Sequence, residues 1–275
     1  MQFKNRTIII TGASRGIGKA IAIRFAREGA NIVAAAKSLK GHPVLPGSLI
    51  DTVDEIEKAG GRGVAVRVDV RHADQVTEMV QTAVDNFGGI DVLINNAGAI
   101  SLTGVEKTSL KLYDRMHYVN DRAVFLCSQQ SIPYLKQSPA AHILNLSPPI
   151  NLNPKWLKNY SPYTASKYSM SLLTLGMAEE LREFGIAVNS LWPKTTIATA
   201  AIEFAVGDKK MLNVCRTVEI MADAAFEIIK TTDLKLTGQL LIDEEVLKKS
   251  GVTDLDRYAY NQQFREKLHP DLFID

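Results

Sequence analysis

Residues 7–18 read TIIITGASRGIG: a short β-branched run leads directly into a glycine-rich turn, and a stretch of helical pattern follows. Glycines in such a turn let the chain reverse tightly and let backbone N–H groups approach a pyrophosphate, and a helix N-terminus adds partial positive charge. The spacing excludes a phosphate-loop NTPase, because Ile17 stands where the second glycine of that motif belongs and Ala20 where Ser or Thr is required. The stretch therefore predicts a strand, a dinucleotide-binding turn and a helix.

The same alternation of apolar runs and helical stretches continues along the chain. Near-continuous apolar runs, typical of strands buried on both faces, occur at 7–11, 31–37, 64–69, 91–95, 142–147, 186–191 and 239–243. Apolar residues at three- and four-residue spacing predict helices over 49–56, 76–87, 109–136, 161–184 and 217–231. Ser48 followed by Asp51 adds a capping-box signal to the first of these. The pattern predicts a single-domain α/β fold: a Rossmann-type doubly wound parallel seven-stranded sheet with helices on both faces.

Composition narrows the class of protein. With 275 residues the chain is within the size range of one α/β domain, and 32 Lys and Arg against 30 Asp and Glu leave a net charge of +2. So small a charge gives no strong field for nucleic acid or an acidic membrane. No apolar run approaches the length of a membrane span, and neither the two cysteines nor the five histidines show metal-ligand spacing. We expect no nucleic-acid partner, no membrane span, no metal and a cytoplasmic location.

We divide the chain into a dinucleotide-binding catalytic domain, residues 1–243, and a charged tail, residues 244–275. Within the domain, residues 194–215 are too long for a simple strand-to-helix loop and predict a lid over cofactor and an apolar substrate. The lid prediction rests on the apolar residues Ile197, Ile202, Phe204, Val206, Met211 and Leu212 and on a charged tip, Asp208–Lys210. The tail is expected to pack on the core or on a neighbouring subunit, and its sequence leaves both open.

The end of the second predicted strand points to the cofactor. A Rossmann fold that binds NAD usually places an acid about 20 residues after the glycine turn, on the ribose 2′-hydroxyl. This chain has Lys37 and Ser38 there, with Arg15 inside the turn. Two cations suit a 2′-phosphate, which predicts a preference for NADP(H) over NAD(H). The alternative is that both are solvated surface cations.

Tyr163 and Lys167 form the one Y-x-x-x-K pair in the chain, and that spacing puts both side chains on one face of a helix. An ammonium about 4 Å from a phenol favours the phenolate by on the order of three pKa units at an effective dielectric of about 20. Ser147 ends the fifth predicted strand, where an α/β sheet has its ligand crevice, and its hydroxyl can donate to a developing oxyanion. Together these residues predict a site for carbonyl chemistry.

Five sequence elements in register resemble the short-chain dehydrogenase/reductase family. They are its TGxxxGxG turn (Thr11–Gly18), NNAG (Asn95–Gly98), Asn120, Ser147 and YxxxK (Tyr163 to Lys167), and the resemblance covers residues 6 to about 243. Residues 145–154, 175–180 and 191–195 resemble the hydroxysteroid dehydrogenase-like members of that family, which often carry a sterol-carrier-type domain. The last residues, Leu272–Asp275, do not match a peroxisomal Ser-Lys-Leu signal.

The resemblance implies an NADP(H)-dependent carbonyl reductase or alcohol dehydrogenase for a small apolar substrate of lipid, fatty or steroid-like character, working as a homodimer or homotetramer. In it Tyr163 is the general acid and Ser147 polarises the carbonyl. Lys167 binds the nicotinamide ribose and lowers the pKa of Tyr163, and Asn120 holds a water that links Lys167 to solvent.

The resemblance also implies a set of cofactor contacts around the ends of the strands. They are Gly12, Ser14, Arg15, Gly16, Ile17 and Gly18 in the turn, Lys37 and Ser38, Asp69 and Val70 at the adenine, Asn96, Ala97 and Gly98, then Tyr163 and Lys167, and Pro193, Thr195 and Thr196 on the nicotinamide side. The sequence departs from the family at Lys194, where a glycine usually follows the proline.

Two alternatives to a reductase remain open. Sugar epimerases and dehydratases share the Tyr–Lys pair, but they usually carry a TGxxGxxG turn and a larger C-terminal substrate domain, whereas about 30 residues follow the last predicted strand here. A regulatory protein that binds cofactor with little turnover would be favoured by loss of Tyr163 or Lys167, and both are present.

Overall fold

The computed structural model describes residues 1–41, 46–200, 202–203, 209–231 and 234–275. In these residues seven parallel strands form one sheet: β1 (Thr7–Thr11), β2 (Asn31–Ala36), β3 (Arg62–Arg67), β4 (Val92–Asn95), β5 (His142–Asn145), β6 (Ala187–Trp192) and β7 (Leu240–Ile242). The α-helices of the same residues are α1 (Gly16–Ala26), α2 (Leu49–Lys58), α3 (Ala73–Phe87), α4 (Leu110–Val119), α5 (Asp121–Leu135), α6 (Ser161–Glu180), α7 (Glu219–Ile229) and α8 (Asp243–Lys249).

The strand order is β3-β2-β1-β4-β5-β6-β7, with every neighbouring pair parallel. The chain therefore winds outward from β1 in one direction and outward from β4 in the other. The reversal between β1 and β4 opens a crevice at the carboxyl ends of these strands, where open α/β sheets bind their ligands. The predicted doubly wound fold is confirmed.

Alternate strand residues build two apolar layers. Ile8 and Ile10 of β1 face the layer of α1, α2 and α7, whereas Ile9 between them faces the layer of α3, α5 and α6. All three isoleucines are fully buried, which explains why these strands read as unbroken apolar runs.

The predicted helix over 109–136 is wrong: the structure has α4 and α5, separated at Asn120. Asn120 has a ψ of −77°, and its side-chain amide pairs with the backbone of Ala99, donating to the carbonyl at 3.0 Å and accepting from the N–H at 2.8 Å. Apolar spacing continues across this break, so periodicity alone could not reveal it.

Two smaller predictions have different outcomes. The capping box is confirmed, since Ser48 Oγ accepts the Asp51 N–H at 3.1 Å and donates to the Asp51 carboxylate at 2.7 Å. The third strand starts earlier than the predicted 64–69, because its register is set by parallel pairing with β2, from Asn31 opposite Arg62 to Ala36 opposite Arg67.

Residues 244–275 lie on the same core as the rest of the chain. Arg216 and Glu244 form a buried ion pair at 2.8 Å, and the Tyr258 hydroxyl donates to Asp223 of α7 at 2.7 Å. From there the chain returns to the carboxyl edge of the sheet, where Phe273 is buried. Among the residues described, no helix is both long and apolar enough to cross a membrane.

Candidate active site

The glycine turn after β1 leaves no space for larger residues. Gly12 has a φ of +70°, and a Cβ there would lie 2.8 Å from the Asn96 side-chain amide. A Cβ on Gly18 would overlap the same amide and lie 2.7 Å from the Gly12 carbonyl. Arg15 is the N-cap residue of α1, and its side chain accepts no hydrogen bond from the first-turn N–H groups. The first turn of α1 carries no acidic residue. The first-turn N–H groups thus fit an anionic group such as a pyrophosphate.

The end of β4 is tied to this turn. The Thr11 hydroxyl accepts the N–H groups of Asn96 and Ala97, both at 3.1 Å. The Asn96 amide donates to the carbonyls of Thr11 at 2.8 Å and Gly12 at 3.2 Å. The predicted contacts at the NNAG sequence therefore lie beside the glycine turn, with the Asn96 side chain used to hold that turn in shape.

The candidate 2′-phosphate region lies beside the turn. Arg15 donates from Nε to the Pro46 carbonyl at 2.8 Å and from Nη2 to the Gly47 carbonyl at 3.1 Å. Gly47 has a φ of +92°, and a Cβ there would lie 2.6 Å from the Ser14 carbonyl, so this loop packs directly on the turn. Lys37 at the end of β2 is exposed and Ser38 is half-buried.

The candidate adenine contact, Asp69, lies just beyond β3, and its carboxylate is bound by Arg71. Arg71 Nη2 donates to it at 2.6 Å and Nε at 2.9 Å. These hydrogen bonds hold the pKa of Asp69 below its usual range. The Asp69 backbone N–H donates to the Gln75 side chain at 2.7 Å, which fixes this corner before α3, and Val70 beside it is buried.

The end of β5 packs against α6, which carries Tyr163 and Lys167, and Ser147 is the second residue after β5. Lys167 donates from Nζ to the Leu146 carbonyl at 2.7 Å, and its ammonium lies 5.1 Å from the centre of the Trp192 ring. Tyr163 and Lys167 are both buried. The Ser147 hydroxyl is fully enclosed and has no hydrogen-bond partner in the described part of the chain. A buried hydroxyl without a partner costs free energy, so a ligand that accepts its hydrogen bond would be favoured there.

Burial shifts the pKa values of this pair. The pKa of Lys167 is lowered to about 7. Burial lowers it, and the nearby Asp271 carboxylate partly offsets this effect. Burial raises the pKa of Tyr163, and Asp271 raises it further. The lowered pKa of Tyr163 that the resemblance implied for the working enzyme stays a prediction.

Asn120 lies behind the pair. Besides its two bonds to Ala99, its amide donates to the Ser166 hydroxyl at 2.8 Å, and Ser166 donates to the Tyr163 carbonyl at 2.8 Å. The Asn120 side chain thus helps to position the first turn of α6. A water held by Asn120 stays a prediction.

The loop after β6 accommodates Lys194 without strain. Lys194 donates its backbone N–H to Asp243 at 2.9 Å, and among the described residues positive φ values outside glycine occur at Asn5 and Phe273. Pro193 and Thr196 are buried, and the Thr195 hydroxyl is enclosed with no partner in those same residues.

The predicted lid is described only in part. Ile197 is buried beside Arg216, whereas Ile202, Met211 and Leu212 are half-buried. Phe204, Val206 and Asp208 lie outside the described residues. The lid stays a prediction.

Sequence reasoning missed three residues at this edge. Asp243, directly after β7, holds the Lys194 N–H, and burial raises its pKa to about 7. Burial likewise raises the pKa of Asp271 to about 7. Phe273 packs on Tyr163 with ring centroids 6.3 Å apart. The apolar run that ends in Asp243 was a usable signal, whereas nothing local marked Asp271 or Phe273.

No group of three or more potential metal ligands occurs in the described ranges.

A sequence profile of the short chain dehydrogenase family matches residues 6–206. Together with the glycine turn and the Ser147, Tyr163 and Lys167 arrangement, this shows that the chain belongs to the short-chain dehydrogenase/reductase family of oxidoreductases. The predicted resemblance is confirmed.

Within the family, the chain is similar to hydroxysteroid dehydrogenase-like protein 2. It is 53% identical to that protein from Xenopus laevis over 270 residues and 49% identical to the human one over 269, in each case covering 98% of this chain and 63% of the relative. The chain thus spans a little under two thirds of the length of these curated relatives, and the resemblance to hydroxysteroid dehydrogenase-like proteins is confirmed.

Solved structures agree with this placement. A short chain dehydrogenase from Mycobacterium thermoresistibile is 44% identical with a TM-score of 0.93, covering 99% of this chain and 96% of that one. A metagenomic short-chain oxidoreductase in complex with NADP is 26% identical with a TM-score of 0.73, covering 88% of this chain and 98% of that one.

Proposed function

We propose that this protein is an NADP(H)-dependent oxidoreductase that transfers a hydride between nicotinamide and a carbonyl or secondary alcohol of an apolar, lipid- or steroid-like substrate. The observation that carries the proposal is the enclosed, unpartnered Ser147 hydroxyl, which directly follows the Leu146 carbonyl that Lys167 binds at the carboxyl edge of the sheet. A carbonyl oxygen placed there supplies the hydrogen-bond acceptor that Ser147 lacks.

Each residue of the site has a distinct task in this reaction. The nicotinamide cofactor supplies or accepts the hydride. Ser147 donates a hydrogen bond that polarises the carbonyl, and Tyr163 gives its phenolic proton to the oxygen as charge develops there. Lys167 lies on the same helix face as Tyr163 and stabilises the phenolate that is left. In the oxidative direction the same groups act in reverse.

The residues around the glycine turn would hold the dinucleotide. The uncapped first turn of α1 suits the pyrophosphate, and the enclosed Thr195 hydroxyl suits the nicotinamide side. Arg15 and Lys37 favour a 2′-phosphate, because Arg15 is anchored beside the turn and Lys37 is exposed at the end of β2.

The surroundings of Tyr163 favour an apolar substrate. A cluster of buried residues at this edge contains Met116, Tyr163, Tyr168, Trp192 and Ile242. An apolar group that displaces water from such surfaces gains about 25 cal/mol for each Å² removed from water. The similarity to hydroxysteroid dehydrogenase-like proteins points to the same substrate class.

We also propose that the protein works as a homodimer or homotetramer. Phe125 of α5 and Leu172 of α6 are exposed large apolar side chains, at 50% and 61% of their surfaces, and they line one groove between the two helices. A second copy of the same face would bury both.

Replacement of Tyr163 by Phe tests the reaction. The ring and its packing remain, but the transferable proton is lost, so kcat is expected to fall by at least about two orders of magnitude while NADPH still binds. Turnover is followed as NADPH absorbance with steroids, fatty aldehydes and simple ketones, and binding as NADPH fluorescence. Tyr134→Phe, on α5 away from the site, is the matched control. A Tyr163→Phe variant that keeps a tenth or more of the wild-type kcat would contradict the assignment.

A further inference from the structure

Residues 269–274, the closing segment, are paired along the loop that follows β6. The Thr196 N–H donates to the His269 carbonyl at 2.9 Å, and the Asp271 N–H donates to the Lys194 carbonyl at 3.0 Å. These bonds make an antiparallel bridge between Thr195 and Pro270. The segment is thus joined to the loop on which Thr195 and Thr196 are expected to meet nicotinamide.

Side chains continue the attachment beyond the bridge. The Trp192 indole N–H donates to the Leu272 carbonyl at 3.0 Å, and the Asn151 amide donates to the Phe273 carbonyl at 3.2 Å. Asp271 and Phe273 both reach the catalytic edge. Asp271 interacts electrostatically with Lys167, and Phe273, which lies in a turn, packs on Tyr163.

The Phe273 ring fills an aromatic enclosure and is 1% exposed. Its centroid lies 5.2 Å from that of Tyr168, 5.9 Å from Trp192 and 6.0 Å from Trp156. The Tyr163 ring lies nearly parallel to it at 6.3 Å. Tyr163, Tyr168 and Trp192 belong to one buried cluster, and Trp156 packs against it, so Phe273 fills the space that an apolar group bound beside Tyr163 would need.

The two residues that would contact the carbonyl are both buried in this arrangement. Tyr163 is 4% exposed, and the Ser147 hydroxyl is enclosed without a partner in the described chain. A carbonyl oxygen has to contact both groups at once to react. We propose that the closing segment is an internal occupant of the substrate pocket: Phe273 lies in the subsite for the apolar group of the substrate, and the segment withdraws before a carbonyl reaches Ser147 and Tyr163. This proposal rests on the proposed function of the site.

The segment is held in a way that permits withdrawal. Phe273 has a φ of +72°, a left-handed conformation that a residue with a side chain seldom adopts. His269 and Pro270 on its approach are exposed, although the His269 N–H donates to the Val214 carbonyl at 2.8 Å. The release of the segment exposes one aromatic ring and breaks the bridge at Thr195 and the hydrogen bonds from Trp192 and Asn151, but it breaks no hydrogen bond between the strands of the sheet.

Intrinsic fluorescence tests whether the segment opens. The chain has two tryptophans, Trp156 and Trp192, and both lie against Phe273. In Phe273→Ala the closing segment loses its anchor, so the acrylamide quenching constant of the full-length protein is expected to rise by about twofold. Phe264→Ala, which removes a half-buried ring from the same tail outside the site, is the matched control and should leave quenching unchanged. Unchanged quenching in Phe273→Ala would overturn the proposal.

Kinetics then test whether the segment competes with substrate. With NADPH and the best ketone of the panel, Phe273→Ala is expected to raise kcat/KM by about fivefold through a lower KM, since less of the protein is closed. Increased quenching with an equal or lower kcat/KM would identify Phe273 as a fixed pocket wall and overturn the proposal. If the wild type turned over no carbonyl at all, the proposed function would fail, and the quenching comparison would still decide whether the segment opens.

A disulfide across the bridge gives an independent test that leaves Phe273 in place. Thr195 and Pro270 form a non-hydrogen-bonded antiparallel pair, whose Cα atoms lie about 4.5 Å apart, within disulfide range. After oxidation with oxidised glutathione, Thr195→Cys/Pro270→Cys should hold the segment closed and lose at least about tenfold in kcat/KM relative to its own dithiothreitol-reduced form. Wild type, whose two cysteines are buried, receives the same treatments as a control. Equal activity in the locked and reduced forms would overturn the proposal.

Discussion

Two cations beside the glycine turn are held in different ways. Arg15 is anchored to the carbonyls of Pro46 and Gly47, so its guanidinium is oriented before any ligand binds. Lys37 is exposed and lies near Asp69. The pKa of the Asp69 carboxyl is low mainly because Arg71 donates hydrogen bonds to it, and the charge of Lys37 lowers it a little further. A 2′-phosphate would therefore meet one fixed and one adjustable cation. The guanidinium of Arg15 would bind the phosphate in a fixed orientation, whereas the exposed Lys37 ammonium would move to meet it.

The proposed preference for NADP(H) rests on these charges. Charge-assisted hydrogen bonds contribute about 1.5–3 kcal/mol each, so wild type should bind NADPH more tightly than NADH by about tenfold to a thousandfold. Lys37→Asp removes one cation, repels the phosphate and supplies an acid for the ribose 2′-hydroxyl, which should reverse the preference. Lys4→Asp makes the same charge change at the opposite edge of the sheet and is the control. Equal dissociation constants for the two cofactors in wild type would contradict the prediction.

At the scale of elements, α5 and α6 each use one face for the core and expose apolar residues on another. Their inner faces pack on the sheet through residues such as Val124 and Met170, which are buried. Between the outer faces lies a groove that Phe125, Leu172 and Gly176 help to line. Gly176 has no side chain and open space beside it, so in the proposed dimer a helix of the second subunit would be able to approach closely.

Burial of this groove in a dimer is testable with one substitution. Leu172→Glu places a charge where the proposed interface would exclude water, so the dimer dissociation constant should rise by at least about tenfold. Sedimentation velocity over a concentration series measures it. Val105→Glu alters a side chain that is 74% exposed and lies outside the groove, and it should leave assembly unchanged. A wild type that stays monomeric at micromolar concentration would argue against the interface.

At the scale of the whole molecule, a buried polar network joins β5, β6 and the turn before β7. The Asn189 amide lies 3.1 Å from His142 Nε2 and donates to the Leu236 carbonyl at 2.7 Å, while its oxygen accepts the Gln239 N–H at 3.0 Å. Burial lowers the pKa of His142 to about 3, and Arg6 lowers it further. The imidazole is therefore neutral in the folded protein and accepts the Asn189 hydrogen bond.

This histidine should make the fold sensitive to acid. Its pKa is about 6.5 in the unfolded chain and about 3 in the folded one, so its stabilising contribution is complete above pH 6.5 and is lost as pH falls toward 3. At pH 4 the loss is about 3 kcal/mol. His142→Gln keeps an acceptor and does not titrate, so its unfolding free energy, measured in urea from pH 7 to pH 4, should fall less steeply than that of wild type. Parallel pH profiles would show that His142 is not the cause.

Local patterns in the sequence were sufficient for the fold class. Buried parallel strands read as unbroken apolar runs, the turn before α1 needs its glycines, and the Tyr163–Lys167 spacing follows from helix geometry. The capping box of α2 was visible for the same reason, since both of its partners lie within one helical turn. Each of these features depends on residues close together in the chain.

Tertiary structure alone decided the break at Asn120 and the packing of Phe273 on Tyr163. Asn120 bonds to Ala99 and Ser166, 21 and 46 residues away, and Phe273 lies against Tyr163 at a separation of 110 residues (273 minus 163). The pKa of Tyr163 is likewise raised by burial, which no spacing in the sequence expresses. Propensity and periodicity act over a few residues, whereas packing between distant segments depends on the shape of the complete core.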